Sequence, residues 1–232
     1  MKKLATLSPG RIFNFAGEQF VVLEQRDGAA FVLLAQSKES CPFNDDMDAE
    51  DRNNYNLSTL KKRIDEWVGN LPRNSREAAA IQEFEVDLNC TDRSGGYGTT
   101  TVRAAPLTLW QYGKFKEVIP LNEDDWYWLV TPWACRWLRS PYTSNTNIVW
   151  LVNPGGDYLN SNASNSYGIR PALLLNSDLL VSTDDEAKEE SCDEGDTCTC
   201  GNVVDLSGVC TKDLMAEIIR RLSTEEGEDD DA

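Results

Sequence analysis

The chain opens with short apolar runs cut by turn residues. Ile12-Phe13-Asn14-Phe15 leads to Ala16-Gly17-Glu18, then Gln19-Phe20-Val21-Val22-Leu23-Glu24, then Arg26-Asp27-Gly28, then Ala30-Phe31-Val32-Leu33-Leu34-Ala35. Runs rich in Val, Phe and Ile between glycine-bearing turns predict a three-stranded antiparallel meander, with the third and most continuously apolar run at its centre. After a polar stretch from Ser40 to Asn56, Leu57, Leu60, Ile64 and Trp67 recur at helical spacing, with Asn56 or Ser58 as N-cap. A second helix is expected from Ser75 through Ala78-Ala79-Ala80-Ile81 to about Phe84, both helices laying an apolar stripe on the sheet.

Arg93-Ser94-Gly95-Gly96-Tyr97-Gly98 reads as a loop; its glycines lack the strand and helix that a phosphate-cradling loop requires. Aromatics then crowd together, with Trp110, Tyr112, Phe115, Trp126, Tyr127, Trp128, Trp133, Trp137, Tyr142 and Trp150 in about forty residues. Such density predicts a core built of large rings. Within 143–167 the pattern changes: Ile148 to Val152 reads as a strand, Asn153-Pro154-Gly155-Gly156 as a tight turn, and Asp157 to Ser166 as a polar loop or ragged strand. Asn145, Asn147, Asn153, Asn160, Asn162 and Asn165 are scattered through it.

Charge divides the chain. From Asp184 onward lie 17 acidic and 4 basic side chains, leaving 22 against 18 before it, so the net −17 belongs mostly to the end of the chain. We therefore expect a body over 1–183 and an acidic, Cys-containing tail over 184–232. The tail carries a short amphipathic helix at 211–223, where Leu214, Met215, Ile218, Ile219 and Leu222 form one stripe. An acidic excess disfavours nucleic-acid backbones and anionic membrane surfaces, and no apolar run reaches membrane-spanning length. The first residues lack the apolar stretch of a secretory signal, so export by a cleaved signal is not expected.

There is no histidine, which removes Ser-His-Asp and Cys-His catalytic sets and His-based metal sites. The isolated Cys41, Cys90 and Cys135 are expected to be buried and inert. Cys192, Cys198, Cys200 and Cys210 cluster without paired Cys-x2-Cys knuckles, which leaves zinc, two disulfides and free thiols all open. No cofactor is expected.

Two strips, Trp137-Leu138-Arg139-Ser140-Pro141 and Tyr167-Gly168-Ile169-Arg170-Pro171-Ala172-Leu173, resemble a recurrent signature. Together with the meander, the Asn54-Tyr55-x-x-Ser58-x-Leu60 helix entry and Pro106-Leu107-Thr108-Leu109, they give residues 9–182 a resemblance to C-type-lectin-like domains. That family is related in fold to formylglycine-generating sulfatase-modifying proteins and includes variable proteins of bacteria and phages diversified by retroelements. The resemblance implies an α+β, C-type-lectin-like fold with small twisted antiparallel sheets, two helices and long irregular loops.

It implies a framework of Trp137, Arg139, Ser140, Gly168, Arg170 and Pro171. The arginine forks should bind carbonyls or carboxylates that pin loops, Gly168 should allow a bend or close approach, and Pro171 should set the exit of the last strand. It implies a ligand face between the strips, with Tyr142, Asn145, Asn147, Trp150, Asp157, Tyr158, Asn160, Asn162 and Asn165 as candidates, Tyr and Trp giving rigid area and Asn adaptable hydrogen bonds. The expected function is a non-enzymatic receptor-binding or adhesin module, phage-encoded and virion-associated, made in the cytoplasm. Its ligand would be a host-surface protein or glycan, with self-association or particle attachment through the tail. Asn-rich loops are compatible with adenine-directed diversification. A structural particle component and a formylglycine-generating-like oxidase are the alternatives. Calcium is not implied, because Asn153-Pro154-Gly155 is the only trace of a lectin calcium motif.

Overall fold

The computed structural model describes residues 1–72, 75–91, 96–133 and 146–183. Contacts partition the chain into a body, 1–191, and a C-terminal unit, 192–232, which lies outside the described residues together with the expected helix at 211–223 and the four tail cysteines. The body is α+β, made of small, mainly antiparallel sheets and few helices.

A short N-terminal strand β1 (Lys2–Lys3) precedes the expected meander of β2 (Ile12–Phe15), β3 (Glu18–Arg26) and β4 (Ala29–Leu34). The bonded order β2-β3-β4 continues into a later strand, β14 (Ala172–Asn176), so β4 is central, and each of its six side chains is buried, as its unbroken apolar run predicts. The chain then forms β5 (Ser40–Pro42) and helix α1 (Thr59–Gly69), whose Ser58 cap accepts from the Lys61 N–H at 3.0 Å and which buries Leu60, Ile64 and Val68.

The second helix is shorter than expected. α2 covers Arg76–Ala80, capped by Ser75; Ile81–Gln82 is already strand β6, paired with β14, and Phe84–Asn89 is β7. The alanines favour helix, but Phe84, Val86 and Leu88 are buried while Glu85 and Asp87 are exposed, a period of two that a strand alone satisfies. β7 forms a hairpin with β8 (Gly96–Val102), so the glycines expected in a loop partly belong to a strand. β9 (Ala104–Ala105) pairs with β14, and a third helix, α3 (Leu109–Phe115), follows where two helices were expected. α3 is fixed by a capping box in which Thr108 and Gln111 exchange side-chain-to-backbone bonds.

The second large sheet comprises β10 (Tyr127–Pro132), β11 (Ile148–Val152), β12 (Tyr158–Asn162), β13 (Ser166–Gly168) and β5, in the order β12-β11-β10-β13-β5. β14 then returns to the first sheet, and β15 (Leu180–Val181) pairs with β1, joining the two ends of the body. The aromatic-rich stretch is only partly core. Tyr112, Phe115, Tyr127 and Trp128 are buried, as a core built of large rings predicts, whereas Trp110, Trp126 and Trp133 are exposed. Cys41 and Cys90 are buried and free; Cys135 lies outside the described residues.

Candidate ligand-binding face

The Arg170-bearing strip is anchored from below. Arg170 is 2% exposed, and its Nε donates to the Leu34 carbonyl at 2.8 Å while Nη2 donates to the carbonyls of Ala35 at 2.6 Å and Pro120 at 3.3 Å. Its Nη1 lies 3.4 Å from a carboxylate oxygen of buried Asp125, and its guanidinium stacks 4.7 Å from the Tyr127 ring. Asp125 in turn accepts from the Ser37 N–H at 3.3 Å and from Asn122 Nδ2 at 3.2 Å. One planar fork thus ties the end of β4, the segment before β10 and the entry to β14 into a single knot, with its charge balanced. Burial dominates the Tyr127 hydroxyl beneath it, raising its pKa well above the ordinary tyrosine value.

Gly168 serves close approach. A Cβ there would meet Ser37 Oγ at 2.3 Å and the Trp126 carbonyl at 2.9 Å, and its N–H donates to that carbonyl at 2.7 Å. The Pro171 carbonyl accepts from the Leu34 N–H at 3.0 Å, immediately ahead of β14. The companion framework residues Trp137, Arg139 and Ser140 lie outside the described residues, as do the ligand candidates Tyr142 and Asn145.

The remaining candidates sit on β11, β12 and their turns, and they do different work. Trp150 is half-buried: its indole N–H donates to the Thr91 hydroxyl at 2.7 Å, and its ring meets Tyr158 edge-on at 5.7 Å. Asn147 is half-buried, and its carbonyl accepts from the Ala163 N–H at 2.7 Å. Asn153 shapes the tight turn, its Oδ1 accepting from the N–H of candidate Asp157 at 2.9 Å. The turn rests on α3, where the Tyr112 hydroxyl donates to the Gly156 carbonyl at 2.6 Å.

Asn162 likewise builds a turn, accepting from Ser164 N–H at 3.1 Å and its hydroxyl at 2.9 Å. Asn165 is exposed and donates to Ser161 Oγ at 2.8 Å, and Ser161 Oγ lies 3.2 Å from the Tyr167 hydroxyl. Tyr158, at 56% exposure, and Asn160 present their side-chain polar atoms with no hydrogen bond among the described residues.

Strand alternation splits these groups. Register pairs Trp150 with Asn160 and Val152 with Tyr158, so Tyr158, Asn160 and Asn162 share the face of Trp150. Leu159 and Ser161 take the opposite face, the side on which Tyr167 stacks with exposed Trp126 and meets Trp128 edge-on. Of the loop or ragged strand expected over Asp157 to Ser166, Tyr158–Asn162 is a regular strand, and its pleat offers two faces.

Sequence reading missed three contributors. Fully buried Asn53 pins the irregular 44–54 segment to β11, donating to the Ile148 carbonyl at 3.1 Å and accepting from the Tyr97 hydroxyl at 2.7 Å. Trp126 was assigned to the core. A groove of about 360 Å³ between α1 and the Ile169–Pro171 strip, walled by Ile64, Trp67, Arg63 and Lys38, had no motif to announce it. Among the described residues no set of three or more His, Cys, Asp or Glu is placed to hold a metal, and no helix is long and apolar enough to cross a membrane.

No curated protein and no solved structure matches the chain. A family model described as a domain of unknown function (DUF6273) matches residues 116–177, about a quarter of the chain, running from the end of α3 through the Asn-rich interval and Arg170 to the end of β14.

Proposed function

We propose that this chain is a ligand-binding display module built on a C-type-lectin-like body, non-enzymatic, with a host-surface protein or glycan as its ligand and its tail serving attachment. The carrying observation is the contrast between the knot around Arg170 and the exposed groups on β12. Five contacts hold that guanidinium, while Tyr158 and Asn160 expose an aromatic ring, a hydroxyl and an amide with no internal hydrogen bond among the described residues. Aromatic and amide side chains displayed on a strand of a well-pinned body suit a paratope, because ordering cost is met before the ligand arrives. The position of Asn153 and Asn162 in turns accounts for part of the asparagine content on structural grounds, so Tyr158, Asn160 and Asn165 carry the recognition role.

The test is capture of the labelled full chain on arrays of glycans and of bacterial envelope proteins. Tyr158→Ala and Asn165→Ala should each weaken capture by roughly tenfold while leaving the melting temperature unchanged, since exposed contact residues contribute about 1–2 kcal/mol. Capture that survives both substitutions, or no capture on either array, would overturn the reading.

A further inference from the structure

We infer that the outer edge of β12 is a self-association surface, at which a second copy of this chain adds its own β12 antiparallel across a two-fold axis through Asn160. This inference stands apart from the display reading, because it uses the backbone of the strand.

The phase of the β11–β12 ladder decides which groups are free. The Asn153 N–H donates to the Asp157 carbonyl at 2.9 Å and the Ala163 N–H to the Asn147 carbonyl at 2.7 Å, so the odd-numbered residues of β12 bond inward to β11. The N–H and C=O groups of Tyr158 and Asn160 therefore point outward, as does the Asn162 N–H, while the Asn162 carbonyl accepts from Asn165 in its turn. Among the described residues no strand lies against this edge.

Edges exposed to water are ordinarily blunted by charge, proline, a bulge or brevity. Two other edges follow that rule, and the uncharged β8 is interrupted by Gly96 and Gly98 and by a register shift. β5 is three residues long and ends in Pro42, and the Asn14 N–H of β2 is occupied by the Ser182 carbonyl at 2.9 Å. β12 departs from it: Tyr158-Leu159-Asn160-Ser161-Asn162 contains no charge, proline or glycine, and its five-residue register with β11 runs without a shift.

That neutrality selects the partner. A two-fold strand pair sets each residue against a near-identical segment, so any charge at its centre would face its own kind; an uncharged edge removes that repulsion. With the axis at Asn160, Asn160 faces Asn160 of the other copy, Tyr158 faces Asn162, and Leu159 faces Ser161. Acidic Asp157 faces Ala163 rather than another carboxylate. The two Leu159 side chains, each 43% exposed in the isolated body, become diagonal neighbours on one face and cover one another.

The experiment is sedimentation velocity of the full chain over a wide concentration series at moderate salt, comparing the natural sequence with Asn160→Pro, Asn160→Ala and Leu159→Glu. Proline at 160 leaves the ladder to β11 intact, because that N–H points away from it, but deletes both symmetry-related donors at the axis. The natural chain and Asn160→Ala should form the same reversible dimer. Asn160→Pro should weaken it by roughly tenfold or more, two hydrogen bonds being lost together. Leu159→Glu should weaken it in low salt and recover partly as salt screens the paired charges. Matched thermal melts exclude unfolding as the cause. A natural chain that is monomeric throughout, an Asn160→Pro dimer as tight as the natural one, or equal loss with Asn160→Ala and Asn160→Pro would each overturn the inference.

Discussion

At the scale of single residues, the body depends on contacts that admit little substitution. Arg170→Met keeps length and apolar stem but leaves buried Asp125 without its cation and the Leu34 and Ala35 carbonyls without donors. Breaking one side of a buried pair costs about 3–5 kcal/mol, a loss to be read in the urea midpoint. Gly168→Ala forces a methyl into Ser37 and should cost roughly 1–3 kcal/mol. Part of that should return in the Gly168→Ala, Ser37→Gly double variant, and failure to recover would put the strain on the Trp126 carbonyl instead. Cys41 gives a pH signature. Burial pushes its thiol from about 9 up to about 11, so the unfolded chain releases that proton first. Stability present below pH 9 is lost as pH climbs through that window, and Cys41→Ala should flatten this part of the alkaline profile relative to the natural chain. The role of Arg170 was legible because a guanidinium that is not solvated must be paired. Its partner was not, because Asp125 sits 45 positions away in a stretch with no pattern of its own.

Elements were legible where one period governed the whole segment. The meander and α1 follow from unbroken apolar runs and from a stripe at helical spacing. The segment 75–89 was misread because two signals overlap: alanines that favour helix locally, then an alternation that only pairing into a hairpin rewards. α3 was missed although Thr108-x-x-Gln111 is a capping box, since surrounding aromatics drew the eye to burial. Thr108→Ala should therefore destabilise by about 1 kcal/mol. On the candidate face the same logic separates support from display. Trp150→Phe removes the indole donor from the Thr91 hydroxyl and should lower stability by about 1 kcal/mol, whereas Tyr158→Ala should barely move it. Differential scanning calorimetry of the two variants distinguishes these roles, and equal effects would contradict the assignment.

At the scale of the whole molecule, the body closes on itself before the acidic stretch begins. β1 pairs with β15, the Leu4 N–H donates to the Leu179 carbonyl at 2.8 Å, and Leu179, Val181 and Thr183 are all buried. Buried residues therefore continue to Thr183, the last described residue, and the sequence turns there from a nearly balanced 22 acidic against 18 basic side chains to 17 against 4. Composition marks where the run of like charge begins, because such a run disfavours a packed sheet. It could not foresee that the first and last strands of the body bond to each other, since two-residue strands carry no periodicity. A chain ending at Thr183 should accordingly unfold at the same temperature and with the same cooperativity as the full chain. One ending at Asn176 loses the partner of β1 and the burial of Leu179 and Val181, each worth about 1.5–3 kcal/mol, and should melt far earlier. If ending at Thr183 already lowered the melting temperature substantially, residues beyond it would be contributing to the fold of the body, and the charge boundary would no longer mark where the core stops.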